Sequence, residues 1–70
     1  MAIAWSSIEE YVTRAHELQG RVERADVIDL AYEDNADDDV IDTIDAIGSR
    51  VFKTPDDVKA FLSGQNLISA

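Results

Sequence analysis

The chain has 70 residues, with fifteen Asp or Glu against six Lys or Arg, so its formal net charge is −9 at pH 7. This length suffices for one domain, and the composition lacks the basic face that nucleic acid or an anionic membrane would attract. The absence of cysteine excludes disulfides and every zinc site with cysteine ligands. We therefore expect one domain over residues 1–70, stabilised by helix packing and without direct binding to nucleic acid or membranes.

Targeting and cofactor signals are missing from the sequence. The first ten residues, MAIAWSSIEE, lack the basic start and the apolar run of a signal peptide, and no apolar stretch reaches membrane-spanning length. No glycine-rich phosphate loop is formed by the three glycines. We expect a cytoplasmic protein without a cofactor.

The first of four predicted helices covers about residues 7–19. Ser6 with Glu9, or Ser7 with Glu10, has the spacing of a capping box, and the following glycine is the expected stop. A glycine there adopts the left-handed conformation at little cost. Helical spacing predicts one buried face, formed by Ile8, Tyr11, Val12, Ala15 and Leu18, with the stop at Gly20.

The second predicted helix, over about residues 24–34, has an acidic face opposite an apolar one. Asp26, Asp29 and Glu33 share the acidic face. Leu30 lies at the edge of the apolar face and widens it, which indicates contact on more than one side. The rest of the apolar face and the expected left-handed stop are Val27, Ile28, Ala31, Tyr32 and Asn35.

The third predicted helix, over about residues 38–47, lies in YEDNADDDVIDTID, which has seven acids in fourteen positions. Asp37 stands at the N-cap, and Asp38 and Asp39 fall in the first turn, where carboxylates meet the positive end of the helix dipole. Asp42 and Asp45 lie on the solvated face with Asp38. Helix capping and solvation thus explain most of the run. The apolar face and the stop are predicted at Val40, Ile41, Ile44, Ile47 and Gly48.

The fourth predicted helix covers about residues 55–63. Thr54 is the expected cap, Pro55 the first helical residue and Asp57 the capping-box acid, while Gly64 is the expected stop. Its inward residues are Val58, Phe61 and Leu62. The complete prediction is an all-α fold, a compact bundle of four short helices.

Segments outside the helices are short. The link SRVFK is rich in β-forming residues, and Val51 and Phe52 are expected to plug the core. Residues 1–5 and 65–70 are predicted as loose tails, although Leu67 and Ile68 could fold back or dock elsewhere.

Three sequence blocks between Arg24 and Leu62 carry a family resemblance: RADVIDLAYEDNA, DDDVIDTIDAIGSRVF and KTPDDVKAFL. In order and separation they resemble a small, uncharacterised family of helical domains from bacteria and archaea, a domain of unknown function. The resemblance implies a small helical fold. It implies no activity and no catalytic or ligand residues.

Metal binding and catalysis are both disfavoured by the residue pattern. An EF-hand loop needs a glycine where this chain has Asp42 and an oxygen side chain where it has Ile41. His16, the single histidine, lies beside the apolar face of the first helix, and solvated acids lack the burial that acid–base catalysis uses. We predict no metal site and no enzymatic activity.

The leading functional prediction is an acidic protein–protein interaction module, with a homodimer as one form. Trp5 lies outside the first helix, and a core this small need not cover both it and the apolar tail. Exposed tryptophan is favoured at interface centres, which indicates an interface role for Trp5. The alternative is that Trp5 simply caps the core. The predicted contact consists of Trp5, Leu30 and the tail.

Two rows of acids suggest a second functional prediction. Asp26, Asp29 and Glu33 advance about 5 Å per step along a helix. Such rows could imitate nucleic-acid phosphates and block a basic nucleic-acid-binding protein, as small phage-encoded inhibitors of host defence do. A merely solvated face, or adaptation to high salt, is the alternative. The second row is Asp38, Asp42 and Asp45.

Overall fold

The computed structural model describes residues 2–69, and within that range the fold is mainly helical. In chain order the elements are β1 (Ile3–Ala4), a 3-10 turn (Trp5–Ser7), α1 (Glu9–Gln19), β2 (Val22–Glu23), α2 (Arg24–Glu33), α3 (Asp38–Asp45), β3 (Val51–Phe52), α4 (Pro55–Gly64) and β4 (Ile68–Ser69). The four predicted helices are confirmed with small shifts at their ends. The prediction of an all-α fold is overstated, because four two-residue strands accompany them.

The strands join distant parts of the chain. β1 pairs in parallel with β4, with Ile3 opposite Ile68, and the Ile3 N–H donates to the Leu67 carbonyl at 3.1 Å. Segments predicted as loose tails therefore hold one another, while Met1 and Ala70 lie outside the described residues. β2 pairs antiparallel with β3, with Val22 opposite Phe52.

No helix within residues 2–69 combines the length and the apolarity that a membrane crossing requires.

One apolar core receives side chains from every helix. Each fully buried Val, Ile or Leu contributes about 1.5–3 kcal/mol relative to an exposed one. Ile28 and Phe61 are partly buried and pack against the core. The largest side chains without exposure are Ile8, Val12, Val22, Val27, Ile44, Ile47, Val58 and Leu62.

The predicted apolar faces are wrong at two positions. Leu18 is 68% exposed and Tyr32 is 61% exposed. Periodicity identifies a face but not how far along it a partner helix extends, so Leu18, in the last turn of α1, projects beyond the core. In α2 the buried residues include Leu30, which means that the buried face is rotated toward Leu30 and away from Tyr32.

The helix starts follow the predictions only in part. Thr54 caps α4 as predicted, since its Oγ1 accepts a hydrogen bond from the Asp57 N–H at 3.3 Å. Asp37 occupies the N-cap of α3, but its side chain accepts no capping bond. The predicted capping box of the first helix is wrong, because both serines lie in the 3-10 turn. There the Trp5 Nε1–H donates to Glu9 Oε2 at 3.1 Å.

A left-handed residue follows each of the four helices of the described residues, and one of these stops is not where it was predicted. Gly20 (φ 74°) and Asn35 (φ 54°) confirm the predicted stops of α1 and α2. Gly48 (φ 64°) likewise takes the left-handed conformation, three residues after the end of α3. Gly64 instead belongs to α4, and Asn66 takes the left-handed conformation with φ 59°. The Leu67 N–H then donates to the Leu62 carbonyl at 3.0 Å, the bond of a Schellman cap.

The link before α4 contributes one residue to the core instead of two. Val51 is 55% exposed, whereas Phe52 packs against the core. Successive side chains on a strand point to opposite faces, so only one of the pair can face inward. The Phe52 and Phe61 rings lie 5.6 Å apart, and the Arg50 guanidinium stacks 4.5 Å from the Phe61 ring centre.

The two glycines at the ends of α1 and α4 generate a matched prediction. A Cβ at either Gly20 or Gly64 would meet no atom within 4 Å, but only Gly20 has a positive φ. We expect Gly64→Ala to stabilise the protein by about 0.5–1 kcal/mol through higher helix propensity. Gly20→Ala should destabilise it by about 1–2 kcal/mol. Urea unfolding followed by circular dichroism measures both, and loss of stability in Gly64→Ala would contradict the assigned end of α4.

Candidate functional site

α2 and α3 form an antiparallel helical hairpin joined by the short turn 34–37. Arg24 at the start of α2 reaches Asp45 at the end of α3, with Nη1 2.9 Å from Oδ1. The turn is tied to α1, because the Tyr11 hydroxyl donates to Asp34 Oδ2 at 2.7 Å. Residues 25–49, which cover this hairpin and the turn after it, are called the acidic hairpin below.

The acidic hairpin carries the whole net charge of the protein. Residues 25–49 contain nine Asp or Glu and no Lys or Arg. Fifteen acids minus these nine leaves six, which equal the six Lys and Arg elsewhere in the chain. The formal charge of −9 is therefore concentrated in 25 consecutive residues, and the rest of the protein is formally neutral.

Both predicted acid rows lie on the acidic hairpin, and nearly all of their carboxylates face water. Asp26 is half-buried, whereas the other five are exposed. Within residues 2–69 only Asp45 of this set takes part in an ion pair, the exposed one with Arg24. The other carboxylates of the two rows have no ion-pair partner among the residues that the structure describes. The exposed members are Asp29, Glu33, Asp38, Asp42 and Asp45.

The two apolar candidates for a contact surface lie inside the protein. Trp5 is 8% exposed and Leu30 is 9% exposed, and both belong to the core together with Ile68. Pairing of β1 with β4 draws both chain ends against the helices, so the core covers these residues. A contact through Trp5, Leu30 and the tail would require this core to open.

Tyr32 is an exposed aromatic residue that the sequence argument assigned to the interior. It follows Asp29 by three positions, and this spacing places the two exposed residues on the same side of α2. The three-residue spacing to Asp29 is a sequence signal for an exposed position, although Tyr32 also fits an apolar stripe with Ile28.

A shallow cavity of about 130 Å³ lies where α3 meets the turn after α4. It is lined by Asp39, Asp42, Thr43 and Leu67. Thr43 is buried, and its hydroxyl donates to the Asp39 carbonyl at 2.8 Å. Sequence reasoning missed this cavity because Leu67 is distant along the chain from the other three residues.

Within residues 2–69, no group of three or more His, Asp or Glu side chains is close enough to hold a metal ion. His16 is half-buried on α1. The expectation that the protein is not an enzyme stays a prediction.

Comparison with known proteins gives no match to any family model, curated protein or solved structure. The resemblance of residues 24–62 to a family of unknown function therefore stays a prediction.

The bond between Tyr11 and Asp34 predicts a pH effect. The hydrogen bond to Asp34, followed by burial and the charge of Asp34, raises the pKa of Tyr11 from 10.0 to about 12. Because the folded pKa exceeds the unfolded one, the resulting stability is complete below the unfolded value and is lost as pH rises through about 12. Ultraviolet titration of Tyr32→Phe, which leaves Tyr11 as the only tyrosine, should show tyrosinate forming near pH 12.

Asp34→Asn in the same background is the comparison variant. It removes the charged acceptor, so the Tyr11 pKa should fall toward its ordinary value. A midpoint that is identical in the two proteins would show that the bond does not hold in solution.

Proposed function

We propose that the protein is a non-enzymatic interaction module whose acidic hairpin binds a basic surface of another protein. The observation that supports this proposal is the concentration of the net charge in residues 25–49, while the remainder of the chain is neutral. Charge that serves only solubility can be spread over a surface. Concentrating nine carboxylates on one hairpin adds self-repulsion, which a basic partner would relieve.

Charge of this kind favours fast and salt-sensitive association. Complementary potentials steer two proteins into encounter and select against partners of the wrong sign. Tyr32 adds an exposed aromatic ring on α2, on the same side of the helix as Asp29, and tyrosine is enriched among residues that dominate binding energy. An arginine of the partner could stack on that ring while pairing with Asp29 or Glu33.

Imitation of nucleic-acid phosphates is the second candidate. It is favoured by the carboxylates of α2 and α3 that have no ion-pair partner within residues 2–69, because no neighbouring cation offsets the charge of these rows. In this case the partner would be a protein with a basic channel for nucleic acid. The two candidates share a binding surface and differ in whether nucleic acid competes for the partner.

Self-association through the acidic hairpin is disfavoured by the same charge. Two copies that met through this surface would bring like charges together, and Trp5 and Leu30 are not available on the surface. We expect sedimentation at micromolar concentration and low salt to give a monomer. A dimer under those conditions would contradict this expectation and would support the homodimer as the form of the interaction module.

Three exposed acids of the hairpin provide the test of partner binding. The triple variant Asp29→Asn, Glu33→Gln, Asp38→Asn should lose at least tenfold in capture of a partner from native lysate, because the partner's cations lose their counter-charges. The control is Glu10→Gln, Glu17→Gln, Asp56→Asn, which removes three exposed charges outside the hairpin. The control should capture the partner as the wild type does at each salt concentration.

The outcome of that experiment discriminates between the candidates. Equal loss in both triple variants would mean that only total charge matters, and the proposed role of the hairpin would be wrong. Once the captured protein is purified, duplex DNA is added as a competitor. Displacement of the acidic protein by DNA supports mimicry, whereas a complex that persists at saturating DNA supports a separate basic docking surface.

A further inference from the structure

We infer that the cavity between α3 and Leu67 is a pocket for one lysine or arginine side chain of the basic partner. This inference rests on the proposed function and specifies one contact within it. The cavity adjoins the acidic row of α3, since Asp42 belongs to both. It is therefore positioned to receive a side chain from a protein docked along the acidic hairpin.

The size of the cavity fits the end of a long side chain. Its volume is about 130 Å³, which is room for more than one water molecule. That is enough for the last few heavy atoms of a lysine or arginine, and too little for an organic cofactor. A single inserted side chain is thus the ligand that the space allows.

The lining selects a ligand that is apolar along its length and cationic at its tip. Leu67 supplies an apolar wall, and Asp39 and Asp42 supply carboxylates. Neither carboxylate has an ion-pair partner among residues 2–69. Lysine and arginine combine an aliphatic stem with a charged head, so the stem matches Leu67 and the head matches the two acids. An anion would be repelled, and a purely apolar group would leave the carboxylates unpaired.

Hydrogen bonds hold the backbone on both sides of the cavity. On α3 the Thr43 hydroxyl donates to the Asp39 carbonyl at 2.8 Å. Across the cavity, the Leu67 N–H donates to Leu62 at 3.0 Å, and the Leu67 carbonyl accepts from the Ile3 N–H at 3.1 Å. Because these backbone segments are already ordered, binding of a side chain between them costs less conformational free energy.

The test uses small probes, because the partner is unidentified. The α-acetylated amides of lysine and arginine carry the proposed cationic side chain. The α-acetylated amide of norleucine has a similar aliphatic stem without the charge. Amide chemical shifts are followed by NMR during titration of the full chain. We expect the cationic probes to shift Thr43 and Leu67 saturably and the norleucine probe to leave them unchanged.

Variants separate a built pocket from general attraction to an acidic protein. Asp39→Asn, Asp42→Asn should reduce the shifts at Thr43 and Leu67 at least fivefold. The control Glu17→Gln, Asp56→Asn also removes two charges, and Asp56 occupies the same position in α4 as Asp39 in α3. Asp42→Asn alone is the second variant in case the double variant fails to fold. Equal shifts in variant and control, or shifts spread evenly around Asp56 and Asp57, would overturn the pocket.

Failure of the pocket and failure of the proposed function can be told apart. If the hairpin triple variant loses its partner while the cationic probes do not shift Thr43 or Leu67, the pocket is wrong and the acidic hairpin stands. If the probes bind at Thr43 and Leu67 but the triple variant captures its partner normally, the pocket stands and the proposed role of the hairpin fails.

Discussion

A single thin core is the constraint on which the rest of the molecule depends. With no cysteine in its 70 residues, the chain has no disulfide to hold it, so the aliphatic side chains of four short helices must meet in one interior. Among the described residues, the polar side-chain groups of the buried set are the Thr43 hydroxyl, the Tyr11 hydroxyl and the Trp5 indole N–H, and each has a hydrogen-bond partner. Because no acid fits in such an interior without a counter-charge, all fifteen are directed toward the surface or its edge.

Packing in this core must also offset the electrostatic repulsion within the acidic hairpin. The acidic hairpin repels itself, and within the described residues it is tied down at two places, the Arg24–Asp45 ion pair and the Tyr11–Asp34 hydrogen bond. The ion pair is exposed and contributes at most about 1 kcal/mol. Packing of Val27, Ala31 and Ile44 must therefore hold the hairpin against its own charge.

Pairing of the chain ends connects the fold to the candidate site. The bond from Ile3 to Leu67 closes β1 against β4, and the left-handed Asn66 turns the chain so that Leu67 faces α3. The same closure covers Trp5 and Ile68, which removes them from the surface. The pairing of these chain segments thus forms one side of the cavity and also buries Trp5 and Ile68, which belong to the predicted apolar contact.

The sequence by itself determined the number and order of the helices, the stops at Gly20 and Asn35, the Thr54 cap and the outward direction of most acids. These features depend on spacing and on backbone preferences within a few residues. Only the tertiary structure decided that Leu30 is buried, that Tyr32 is exposed and that the two end segments of the chain pair. It also decided that Asn66 rather than Gly64 takes the left-handed conformation after α4. Finally, it decided that Leu67 faces Asp39 and Asp42. Those outcomes depend on which surfaces meet across large separations in the chain, and periodicity along one helix carries no information about its neighbours.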